Sequence, residues 1–140
     1  MLRDIEKIVL LISIVSFSTY FYWTVLHFAV KGRSLAAVQL VLAESKDLIE
    51  LKSDDDETPA VIAAEGGDAQ ILKFLLEKGA TVYGKYPKEN LLDRVTQYSK
   101  HIPNRVETAL VIIKFCRQSN KGVNLLRKVS IYTICLVYKY

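Results

Sequence analysis

The chain has 140 residues, a hydrophobic fraction of 51% and a net charge of +4, which excludes a disordered polyelectrolyte and requires a packed core. Such a length suits one ordinary domain, or a row of three to four units of about 33 residues each. Residues 1–95 carry 11 Lys/Arg against 14 Asp/Glu and residues 96–140 carry 8 against 1, so a mildly acidic first part precedes a basic end, which is either a solvated cap or a contact for an acidic or membrane-surface partner. The two cysteines, Cys116 and Cys135, form neither a disulfide framework nor a CxxC pair; they fit a reducing compartment or leave the compartment undetermined.

The chain opens on a run, residues 8–30, without a single Asp, Glu, Lys or Arg. Two readings compete for it. As a helix, 23 such residues would cross a bilayer, with Tyr20, Phe21, Tyr22 and Trp23 near one interface and Lys31 and Arg33 on the cytoplasmic side. Alternatively, DIEKIVLLIS (4–13) aligns with DAQILKFLLE (68–77), which makes residues 1–23 an incomplete helical unit with an extended connection over residues 14–23. A cleaved signal peptide does not fit, because MLRDIEK balances two bases with two acids and no small-x-small site follows.

From Thr24 a pattern becomes regular. Thr24 is placed to cap a helix over residues 25–30, Gly32 to end it in a left-handed conformation, and a second helix follows with Leu35, Val38, Leu40, Val41 and Leu42 on its apolar side. Residues 45–57, SKDLIELKSDDDE, are polar and read as a surface hairpin or loop. The pattern then recurs 34 residues on, from 24 to 58: Thr58 and Pro59 combine an N-cap with proline at the first helical position, Gly66 and Gly67 break the helix, Asp68 caps the next, and Gly79 stops it. Each pair is too small to bury its own core, so a unit recurring at this period implies a stack.

A third, degraded unit follows. NLLDRV (90–95) supplies its first helix, VETALVIIKFC (106–116) its second, and the loop YSKHIPN (98–104) is longer than the turns before it, with Pro103 forbidding one continuous helix. Residues 120–140 read as a capping helix, although 132–140 alternate as a strand would.

Little in the sequence carries catalytic chemistry. None of the P-loop, GxGxxG, GxSxG or HExxH motifs occurs, His101 has no acid or thiol at ligand spacing, and Asp54–Glu57 lacks the alternation and glycine of a calcium loop. No enzyme activity, metal, cofactor or small-molecule substrate is therefore expected, and the acidic run reads as a solvated tip.

TVLHFAVKG and TPAVIAAEGG resemble the ankyrin-repeat signature T-P-L-H-x-A-A-x-x-G, and LKFLLEKGATV resembles its second half, V-x-L-L-L-x-x-G-A-x-V. Thr24, Leu26, His27, Ala29 and Gly32 match in the first unit; Thr58, Pro59, Ala63, Ala64, Gly66, Leu75, Leu76, Gly79, Ala80 and Val82 match in the second. Departures are Val25 for proline, Ala60 and Val61 for Leu-His, and Ser45 and Lys46 for Gly-Ala. The resemblance implies an all-α ankyrin-repeat solenoid with hairpin tips and a concave face of inner helices. Its units would be a cap or anchor over residues 1–23, repeats over 24–57 and 58–89, a diverged repeat over 90–119 and a cap over 120–140. His27 would brace its turn by hydrogen bonds.

Such a scaffold implies protein binding. The candidate contacts are Phe28, Lys31, Ile62 and Glu65 on the inner helices, Asp54, Asp55 and Asp56 on the first tip, and Tyr83, Lys85, Tyr86 and Lys88 on the second. The alternative is a membrane-tethered adaptor with residues 8–23 in the bilayer, its repeats on the cytoplasmic side and its basic end on anionic headgroups. Nucleic-acid binding by the basic end stands behind both.

Overall fold

The computed structural model describes residues 4–5, 23–84, 89–97 and 104–119. Among the described residues six α-helices pack as three pairs: α1 (Val25–Lys31) with α2 (Leu35–Glu44), α3 (Pro59–Gly66) with α4 (Ala69–Glu77), and α5 (Leu91–Gln97) with α6 (Arg105–Ser119). The readings of residues 6–22 as half-repeat or anchor, of the 98–103 loop and of the 120–140 cap lie outside the described residues.

Each inner helix starts where a side chain replaces a missing backbone partner. The Thr24 side chain accepts from the His27 N–H while the His27 ring accepts from the Thr24 N–H, closing a reciprocal capping box. Thr58 accepts from the Val61 N–H with Pro59 behind it. In the third unit the Asn90 amide oxygen accepts from the Asp93 N–H at 2.8 Å, and its NH₂ donates to the Asp93 carboxylate at 2.6 Å.

The turns share one geometry. Ser34 N–H donates to Ala29 C=O, Asp68 N–H to Ala63 C=O and Ala80 N–H to Leu75 C=O, each six-residue closure following a residue in the left-handed region: Arg33 (φ 56°), Gly67 (φ 71°) and Gly79 (φ 110°). This corrects the expectation for Gly32, which is still right-handed at φ −74°. The reversal needs positive φ one residue later, and there the first unit carries an arginine where the second carries glycine. Asp68 also departs from expectation: its carboxylate makes no cap bond and pairs instead with Arg33 at 3.2 Å.

Inner helices stack on inner and outer on outer, α1 on α3 on α5 and α2 on α4 on α6. Helix α3 is closed on nearly every side, and its fully buried Ala60, Ala63 and Ala64 allow both neighbours to approach. The apolar sides of the outer helices, with Val38, Leu42, Leu72, Leu75, Leu76 and Ile112 buried, complete one continuous core. Leu40, expected on that side, is exposed, because the buried residues of α2 are Val38, Val41 and Leu42. Residues 45–57 also hold more structure than a loop: Lys46–Glu50 is a 3₁₀ turn whose Leu48 and Ile49 pack on the core. From its end the Glu50 carboxylate accepts the Thr81 N–H (2.7 Å) and hydroxyl (3.0 Å), joining the two connections between units.

In such a stack each unit is stabilised mainly by its neighbours. Leu72→Ala, at the centre of α4, should cost about 3 kcal/mol through lost burial and the cavity left behind. Urea denaturation checks this, with the whole described array unfolding at a lower midpoint.

Candidate functional site

The fourth residue of each inner helix traces the inner face along the stack: Phe28 in α1, Ile62 in α3 and Arg94 in α5. Phe28 is 48% exposed and lies beside Trp23, their rings 5.3 Å apart and tilted. Ile62, expected as a contact residue, is buried and belongs to the core. Its neighbours on both sides cover it, so it offers no surface to a partner.

Arg94 is only 12% exposed at its side chain and gathers three carboxylates. Its guanidinium meets Glu57 at 3.3 Å, Glu89 at 3.3 Å and Glu65 more closely still. Burial works against the charge, but the Glu65 hydrogen bond and the charges of Glu65, Glu89 and Glu57 outweigh it and raise the Arg94 pKa above its ordinary value. Glu65, expected on the partner surface, thus joins its unit to the third. Arg94 was not among the expected residues. Its acids are scattered over 33 positions of sequence, from Glu57 to Glu89, and only the shared fourth-residue register would have drawn attention to it.

His27 ties the first unit to the second. Its Nε2 lies 3.0 Å from the Glu57 carbonyl and must donate to it, while Nδ1 faces the Thr24 N–H at 3.0 Å and the Thr24 hydroxyl at 2.7 Å. Only the neutral ring with its proton on Nε2 satisfies both sides. Protonating Nδ1 would set two N–H donors against each other. Burial is the largest influence and lowers the His27 pKa from its ordinary 6.5, with the Glu57 and Leu51 carbonyls and the Asp54 charge opposing it.

The first tip, residues 51–57, presents Asp54, Asp55 and Asp56 to solvent. The Ser53 hydroxyl accepts from the Asp55 and Glu57 N–H groups at 3.3 Å, and Asp56 takes the left-handed conformation, φ 60°, that closes the turn. Lys52 approaches Asp56 only to 4.0 Å, an exposed pair of little energetic weight. On the second tip Tyr83 is 58% exposed and bridges to Asn90; Lys85, Tyr86 and Lys88 lie outside the described residues. Lys31 is exposed at the end of α1. The structure therefore brings Phe28, Trp23 and the Asp54 side of the first tip together around His27. Among the motif residues, Thr24, Thr58, Pro59, Gly66 and Gly79 stand at helix starts and ends. No cluster of three or more metal-ligating side chains occurs among the described residues.

The chain belongs to the ankyrin-repeat family: the family's model, ankyrin repeats in three copies, matches residues 3–85, more than half of the chain. Ankyrin repeats are in general protein–protein interaction modules. Comparison with curated proteins gave no match.

Two measurements probe these ties. A His27 whose folded pKa is lowered stabilises the fold fully above pH 6.5, and that stabilisation is lost as pH falls through its folded value, because the folded state then resists a proton that the unfolded chain takes up. Urea denaturation should show stability falling below pH 6.5 by up to about 1.4 kcal/mol per pH unit, and more shallowly in His27→Gln. Arg94→Met should cost about 2–3 kcal/mol, below a fully buried broken pair because Glu65 stays partly in water, and Arg94→Lys should recover only part of it.

Proposed function

We propose that the protein is a non-catalytic scaffold that binds another protein through its inner face and hairpin tips. The observation that carries the reading is Phe28: it is half exposed at the position where the next unit buries Ile62. Aromatic side chains that are large, rigid and incompletely covered are favoured interface anchors. Around this anchor lie Lys31 and the acidic first tip, Asp54 to Asp56, whose charges steer and select a partner with complementary basic groups. Tyr83 supplies a second aromatic contact on the next tip, with Lys85, Tyr86 and Lys88 assigned to the same tip by sequence. Ile62 is buried, and Glu65 keeps a partly exposed carboxylate that Arg94 already engages, so the reading rests on the other residues.

For residues 1–23 the half-repeat reading is preferred to the membrane anchor. The family match begins at residue 3 and so includes this stretch, which supports a repeat-like N-terminal unit. No helix among the described residues is long and apolar enough to cross a membrane, but residues 8–22 lie outside them and the anchor is left to experiment. A cytoplasmic location belongs to the same reading, and the free, buried thiol of Cys116 is compatible with it.

The test is affinity capture with quantitative mass spectrometry, using the full chain and two folded variants. A partner retained by the wild type should be depleted about tenfold or more by Phe28→Ala and by charge reversal of Asp54, Asp55 and Asp56 to Lys. Equal retention by all three chains would remove this face as the binding site. Recovery of the full chain only with detergent would instead favour the anchor.

A further inference from the structure

The outer face carries a second pattern that the inner-face reading does not use. The sixth residue of each outer helix is a large apolar one: Leu40 in α2, Phe74 in α4 and Leu110 in α6. Leu40 is 43% and Leu110 37% exposed, and Phe74 is half-buried with the Lys78 ammonium 5.3 Å above its ring. Outer helices are ordinarily expected to turn polar side chains to water at such positions. Here three successive units repeat the exception in one register, which makes a stripe rather than scattered apolar residues.

Beside the stripe, between α2 and α4, a hollow of about 440 Å³ is lined by Gln39, Leu42, Lys46, Ile49, Phe74 and Lys78 among others. Its apolar floor is continuous with Phe74. Charges follow the stripe in register as well: four residues beyond each apolar rung stand Glu44, Lys78 and Lys114, all exposed. Lys46 and Lys78 stand against the single acid Glu77 in its lining, which leaves the hollow net basic.

The spacing selects the shape of the occupant. Packed helices lie about 8–10 Å apart, so successive rungs are separated by that distance. Seven residues of an α-helix advance about 10.5 Å and return to nearly the same side. An extended strand needs about three residues for the same distance and turns its third side chain to the opposite face. A helix crossing the stack meets all three rungs with one face.

We infer that the outer face docks an amphipathic helix of a partner protein, with apolar residues at every seventh position against Leu40, Phe74 and Leu110. Charge complementarity sets its direction: a basic residue lies near the first rung, opposite Glu44, and acidic residues lie near the second and third, opposite Lys78 and Lys114. The side chain at the second rung enters the hollow beside Phe74. This site is separate from the Phe28 face, and both can be occupied at once.

The test uses the full chain and a stapled helical peptide of about 18 residues, with leucine at every seventh position, lysine beside the first leucine and glutamate beside the second and third. Fluorescence titration should show saturable binding, weakened about tenfold by Leu40→Asp or Leu110→Asp and by Lys78→Glu, but unchanged by Phe28→Ala. Leu40 and Leu110 are exposed, so these variants should retain the wild-type thermal melt, which is checked first. A peptide of the same composition with its order scrambled should not bind. Absence of binding, equal binding of the scrambled peptide, or indifference to all three outer-face variants would overturn the inference. So would self-association of the wild type abolished by Leu40→Asp, which would assign the stripe to a second copy of this chain, or Leu40-dependent sedimentation with anionic phosphatidylserine vesicles, which would assign it to a lipid surface.

Discussion

Glu57 is bonded from two directions, and the three described units are held in register through it. Its backbone carbonyl accepts the His27 Nε2–H from the first unit, and its carboxylate meets Arg94 of the third. Between those two bonds stands the start of the second unit, since Thr58 caps α3 immediately after it. A stack of short helical pairs has no long-range sheet to fix the position of one layer over the next. Register here depends on bonds of this kind, which act only when the layers are correctly aligned.

The other ties between units work with this one. Arg33 reaches from the turn of the first unit to Asp68 and to the Gly66 carbonyl of the second, and Glu50 reaches to Thr81. Arg33 does so from a left-handed backbone that disfavours a side chain, and its ionic and hydrogen bonds accompany that conformation. Packing alone would leave the layers free to slide, because the apolar sides of α2, α4 and α6 are much alike. Polar bonds with directional requirements remove that freedom. The acids that serve Arg94 are consequently part of the scaffold, and the surface available to a partner is smaller and more sharply defined than the abundance of charge suggests.

What remains open to a partner is arranged on two opposite sides. On the inner side the face closes progressively along the stack, from exposed Phe28 through buried Ile62 to Arg94 among its acids. On the outer side Leu40 and Leu110 stay exposed, with Phe74 between them partly packed against the core.

The architecture was legible in the chain because its signals are local. A threonine before a short apolar run, a glycine after it and the same order 34 residues on, from 24 to 58, require nothing beyond capping and turn chemistry. His27 could be assigned a bracing role from its place in the motif, and its bonds to Thr24 and Glu57 are now explicit. The candidate surface was only partly legible. Asp54–Asp56 and Phe28 were recognisable as exposed residues of a tip and an inner helix, whereas Ile62 and Glu65 had the same local credentials and were drawn into the interior and into an ion cluster. Helix periodicity tells which side of a helix is apolar, not which neighbour will cover it. That decision belongs to the stacking of one unit on another, which assembled Arg94 with three distant glutamates where no stretch of sequence brings them together.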